Sequence, residues 1–68
     1  MPPFPIGVWG TVHPASRNPA SISRVKIDAA GSSFLLITEE PNGTFDTWLE
    51  TTGDVLAALS KLSIRWDT

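Results

Sequence analysis

Phe45-Asp46-Thr47-Trp48-Leu49-Glu50 reads as a strand, Thr51-Thr52-Gly53-Asp54 as a helix start, Val55 to Leu62 as a short amphipathic helix, and Ser63-Ile64-Arg65-Trp66-Asp67 as one more extended segment. In the strand, Phe45 and Leu49 share one face, while Asp46, Trp48 and Glu50 share the other, because side chains alternate along extended backbone. In the helix, Val55, Leu59 and Leu62 fall at i, i+4 and i+7 with Leu56 beside them, the spacing of a single apolar stripe. Thr51 has the side chain of an N-cap. Asp54, three residues on, suits both a short-armed capping box and the positive end of the helix dipole. A helix this short is marginal alone in water, so it needs a surface to cover. The Phe45/Leu49 face is the expected one, with Leu59 at the centre of the contact.

Upstream, Pro41-Asn42-Gly43 is the strongest turn signal in the chain, and Asn42-Gly43 is the expected tight turn with positive φ. It joins the strand above to Phe34-Leu35-Leu36-Ile37-Thr38. That run is apolar on both sides, which predicts a central strand covered on two faces. Gly31-Ser32-Ser33 is a second turn. Arg24-Val25-Lys26-Ile27-Asp28-Ala29 alternates cleanly, with Val25, Ile27 and Ala29 inward. Residues 24–50 therefore read as a three-stranded antiparallel meander. Further upstream, residues 6–12 alternate as well, with Ile6, Val8 and Val12 on one side and Trp9, Thr11 and His13 on the other. Pro14 and Pro19 bracket a polar loop, His13 to Ser21, which does not continue a central strand.

The fold class this implies is α+β: one small domain, residues 1–68 with a Pro-rich segment at 1–5, built as an antiparallel sheet of four to five strands with one helix on one face. A chain of 68 residues holds one domain and one small core. Domains of this size are often helped by disulfides, metal or self-association. Cysteine is absent and His13 is the sole histidine, which removes disulfides and a zinc cluster. Apolar content of 41% and charged content of 18% suit a folded chain rather than a disordered one. The longest apolar run, Phe34 to Ile37, is far short of the roughly 20 residues that span a bilayer. Met1 to Pro5 has neither the basic nor the apolar region of a secretory signal. The expectation is a soluble, cytoplasmic protein.

Little in the chain suggests catalysis. His13 is the one candidate for a general base near neutral pH, and it stands before Pro14 at the mouth of a loop. Ser16, Ser21, Ser23 and several acids are present, but no spacing groups them with His13 into a triad. Glu39 and Glu40 are adjacent and face opposite sides of a strand, so they are poorly placed to share a substrate. No phosphate-binding glycine loop or dinucleotide fingerprint occurs. Pro2-x-x-Pro5 fits a polyproline ligand only weakly, lacking a flanking Arg. No enzyme activity, cofactor or metal is expected.

A binding surface is. One helix covers one side of a sheet, and the alternation leaves Trp48, Trp9 and His13 on the other. Trp48 then packs under the Pro-rich N-terminus or against Trp66, or it lies open. An open face with two Trp is a partner site or a homo-oligomer interface. Net charge is −2, unevenly placed: residues 1–27 carry Arg17, Arg24 and Lys26 and no acid, and residues 28–60 carry Asp28, Glu39, Glu40, Asp46, Glu50 and Asp54 and no base. An acidic, aromatic surface suits a basic protein partner. The candidate partner-binding residues are Asp46, Trp48, Glu50 and Trp9. Stacking of single-stranded nucleic acid on Trp9 and Trp48 ranks below this, because Trp48 sits between two acids and not among Lys and Arg.

The stretch Thr44 to Ala58, with Phe45-Asp46-Thr47-Trp48 and Thr51-Thr52-Gly53-Asp54 at its heart, followed by Ile64-Arg65-Trp66, resembles the C-terminal half of small bacterial immunity proteins of polymorphic toxin systems. In those families a strand with an Asp-x-Trp core leads to a Ser/Thr-capped helix and a short segment closing on Trp. The resemblance is confined to the C-terminal third. It departs in having a shorter helix, Gly53 in the first turn, and less negative charge. It implies a small non-enzymatic protein that binds and blocks a toxin domain.

Overall fold

A cap decides where the helix begins. In the computed structural model, which describes residues 3–14 and 21–67, the Thr51 side-chain oxygen accepts from the Asp54 backbone N–H at 3.0 Å, and α1 runs Thr52–Leu59. The helix ends earlier than the apolar spacing predicts. The Ser60 hydroxyl and N–H both turn back to the Ala57 carbonyl, and Leu62 N–H bonds the Leu59 carbonyl, so Leu62 lies beyond the last turn.

The strands are β1 (Trp9–Val12), β2 (Arg24–Ala30), β3 (Ser33–Glu40), β4 (Gly43–Leu49) and β5 (Ile64–Trp66). All four pairings are antiparallel, in the order β4-β3-β2-β1-β5. This is the expected α+β fold: a meander from residue 24 to 49, with β1 and β5 extending its β2 side and one helix packed on one face. No helix among the described residues is long and apolar enough to cross a membrane.

The pairing sorts residues into two faces. Val25, Ile27, Leu36 and Val12 point to the helix side, where they are buried with Val55 of α1 and Phe4 of the N-terminal segment. Phe4 meets Phe34 edge-on at 5.5 Å between centroids. Phe4 therefore packs beside the helix, on the face the helix already covers. Met1, Pro2 and the loop residues 15–20 lie outside the described residues, and with them most of the expected polar loop. Thr38 is buried on the same side, its hydroxyl satisfied by the Glu40 carboxylate at 3.0 Å. Gly10 pairs with Trp66, and both Trp66 and Ile64 pack over it: a Cβ there would stand 2.7 Å from the Trp66 ring and closer still to Ile64. Glycine is required because two large side chains of an edge strand use the space.

Several expectations are corrected. β3 is second from the edge, and only its Leu36/Thr38 side is buried; Leu35 and Ile37 are half-exposed on the other side. The β3–β4 turn is Pro41-Asn42, with Glu40 opposite Gly43. Of Asn42 and Gly43, only Gly43 has positive φ, at 136°, which suits a type I turn in which both central residues keep negative φ. β1 starts at Trp9 and not Ile6, since Gly7 at φ 72° breaks the alternation and leaves Ile6 exposed. Ala29 points to the helix side but is exposed, lying past the last β1 partner of β2. Phe45 is 49% exposed and outside the core, because α1 leads back from Leu49 and ends before covering it; Leu59 is half-buried and Leu56 exposed.

Candidate functional site

Every second residue of the meander faces away from the helix, and there the register builds a surface row by row. Trp9, Lys26, Ile37 and Asp46 form one row across β1 to β4; Asp28, Leu35 and Trp48 form the next; Thr11, Arg24, Glu39 and Thr44 the one before, with Arg65 of β5 beside Thr11. Among the described residues nothing packs over this side. Trp48 is 58% exposed. Trp66 and Phe4 are both on the opposite face, over Gly10 and against Phe34, so neither shelters Trp48.

The four residues singled out from the sequence share this side of the molecule without forming one cluster. Asp46 and Trp48 are two apart on β4 and both exposed. Glu50 is exposed just past the end of β4. Trp9 lies in the row of Asp46 but three strands away, about 14 Å at the usual strand spacing. Its surroundings are basic: the Arg24 guanidinium carbon sits 4.4 Å from the ring centroid and the Lys26 ammonium 5.7 Å from it. Those cations explain why Trp9 is half-buried on a face with no covering element among the described residues, and each such contact is worth roughly 0.5–1 kcal/mol at an exposed site.

Sequence reasoning missed the middle of the surface. Leu35 and Ile37 form an apolar strip between the two Trp, hidden by the reading of β3 as covered on both sides. Arg24 and Lys26 were legible as outward-facing from the burial of Val25 and Ile27, but their place beside Trp9 depends on the β1–β2 register. Opposite charges also come together, Arg24 and Glu39 as direct partners across β2 and β3, and Lys26 and Asp28 two residues apart on β2. Arg24 meets Glu39 at 3.5 Å and Lys26 meets Asp28 at 3.9 Å. The face is therefore graded: acids and Trp48 on β4, a neutralised apolar centre, and cations around Trp9.

Elsewhere, Glu39 and Glu40 do face opposite sides, one toward Arg24 and the other toward Thr38. His13 donates its backbone N–H to the Ser63 carbonyl at 2.7 Å, at the end of β1. No group of three or more His, Asp or Glu among the described residues is arranged to hold a metal ion. A flat apolar strip bounded by charges offers a small molecule little enclosure; it offers a protein an anchor and a polar rim.

No family model matches this chain, and no curated protein or solved structure does either.

Proposed function

We propose that this chain is a non-enzymatic protein-binding module that engages its partner through the open sheet face. The observation that carries the reading is Trp48: a large aromatic more than half exposed on the side of the sheet away from the helix. Trp is among the residue types most enriched in binding hot spots. Leu35, its direct neighbour on β3, and Ile37 extend the apolar ground beside it. Asp46 and Glu50 flank it with negative charge, which favours a partner that is basic at the contact. These acids speed association and make it salt-sensitive more than they add affinity. Trp9 bounds the far side, held between Arg24 and Lys26. An immunity-type inhibitor of a toxin domain is the specific form of this reading, and the resemblance of residues 44–66 supports it.

Nucleic acid is the weaker partner. One face of the Trp9 ring is taken by Arg24, and the exposed Trp48 is accompanied by acids that repel phosphate.

The test is co-expression with candidate basic toxin domains, scored by survival and by complex formation on gel filtration. Trp48→Ala is expected to keep a native circular dichroism spectrum and lose the complex, weakening it by at least about 30-fold, the usual size of a hot-spot truncation. Asp46→Lys with Glu50→Lys should slow association and flatten its salt dependence. A complex that forms equally well with Trp48→Ala contradicts the proposal.

A further inference from the structure

The two edges of the sheet are built differently. β5 is three residues long and carries Arg65 at its centre. Shortness and charge are the usual protections against edge-to-edge pairing. β4 has neither. It is seven residues long, contains no Pro, Lys or Arg, and has one charge, Asp46. Six of its seven residues are exposed, among them Phe45 and Trp48. Its Thr and aromatic side chains favour extended pairing. A two-residue turn closes on a hydrogen-bonded pair, here Glu40 and Gly43. The alternation of an antiparallel ladder then turns the N–H and C=O groups of Thr44, Asp46 and Trp48 to the free side.

We propose that a second copy of this chain pairs antiparallel along β4, centred on Thr47, doubling the five-stranded sheet across a two-fold axis. An axis normal to the sheet places each residue opposite one of the same face, so the dyad passes through a residue pair. Centred on Asp46, the pairing would set two carboxylates directly opposite, which is destabilising. Centred on Phe45, it would leave Trp48 beside the Pro41-Asn42 turn of the second copy, where Pro lacks a donor. Centred on Thr47, it sets Asp46 opposite Trp48 of the second copy, Phe45 opposite Leu49, and Thr44 opposite Glu50. This register separates the acids and sets a cross-strand neighbour beside each exposed aromatic of the strand. The guarded β5 edges stop further growth, so the assembly closes at two copies. Both open faces then lie on one side, with the two Trp48 diagonal neighbours across the dyad, within the roughly 7–8 Å that aromatic side chains bridge. The pairing stands on the sheet edge and is independent of what binds the open face.

The test is the solution mass by light scattering, read with variants at the dyad. The wild type should have the mass of two chains, dissociating on dilution. Thr47→Lys and Thr47→Glu should each be folded and monomeric, and their equimolar mixture should regain the two-chain mass. Thr47→Cys gives an independent reading in a chain that has no cysteine of its own. A non-hydrogen-bonded pair sets its Cα atoms about 4.5 Å apart, within disulfide range. That variant should therefore oxidise to a covalent dimer, and Thr44→Cys should not. A wild type that stays monomeric at its highest soluble concentration, an assembly larger than two copies, or equal cross-linking of both cysteine variants overturns the pairing. None of these outcomes touches the reading of the open face, which is tested by Trp48→Ala.

Discussion

The two faces of this sheet are made from the same strands and do opposite things. On β2, Val25 and Ile27 are fully buried beneath the helix side, while their neighbours Arg24 and Lys26 stand over Trp9 on the open side. On β3, Leu36 is buried and Leu35 and Ile37 are not. The helix side is closed by three short pieces: α1 through Val55, the N-terminal segment through Phe4, and the β5 region through Ile64 and Trp66. α1 and Phe4 lie on that face, and β5, itself part of the sheet, turns Ile64 and Trp66 to it and Arg65 to the other. A domain this small has one core to spend its apolar side chains on, and concentrating the cover makes that core dry. The other face is left to charged pairs, a cation-framed Trp9 and a bare Trp48.

Substitutions across that divide should separate by size. Ile27→Ala, at the centre of the covered face, should cost about 2–5 kcal/mol, a large fraction of the stability of a domain this size. Loss of cooperative unfolding in a denaturant titration is the expected readout, and near wild-type stability would mean that the core lies elsewhere. Gly10→Ala is the next largest. Its Cβ would collide with Ile64 and Trp66, so β5 must shift from β1, at about 1–3 kcal/mol for overpacking. The melting temperature checks it, and hydrogen exchange should show the loss first at Asp67 N–H, which bonds the Trp9 carbonyl. Trp48→Ala is the smallest effect despite removing the largest side chain. In dilute, monomeric protein it should change stability by no more than about 0.5 kcal/mol, as surface positions do. A cost like that of Ile27→Ala would erase the distinction between the faces.

Local chemistry was legible in the sequence and long-range placement was not. The meander followed from alternation and turn residues: Val25 and Ile27 inward, Phe45 and Leu49 opposite Asp46 and Trp48, Thr51 as the helix cap. Each depends on neighbours within a few positions. Most of the errors arose where a distant segment decides, and the end of the helix is a local exception. Leu35 and Ile37 are apolar without being covered, because strand composition does not reveal whether a second layer exists. The helix stripe extended on paper to Leu62, but the side chain of Ser60 competes for the Ala57 carbonyl and ends it. Trp66 over Gly10, and Phe4 against Phe34, join chain ends to strands far away in sequence, and no local pattern announces them. The site was half legible for the same reason. Trp48 and its acids lie on one strand, whereas the cations around Trp9 come from β2 and needed the register.

The central claim is that Trp48 stands on an uncovered face. Its most direct test is the fluorescence of Trp48 as the sole tryptophan, with Trp9→Phe and Trp66→Phe, in dilute protein shown to be folded and monomeric. The emission should be red-shifted and readily quenched by acrylamide. A blue-shifted emission that resists quenching would place Trp48 in a core and contradict the account.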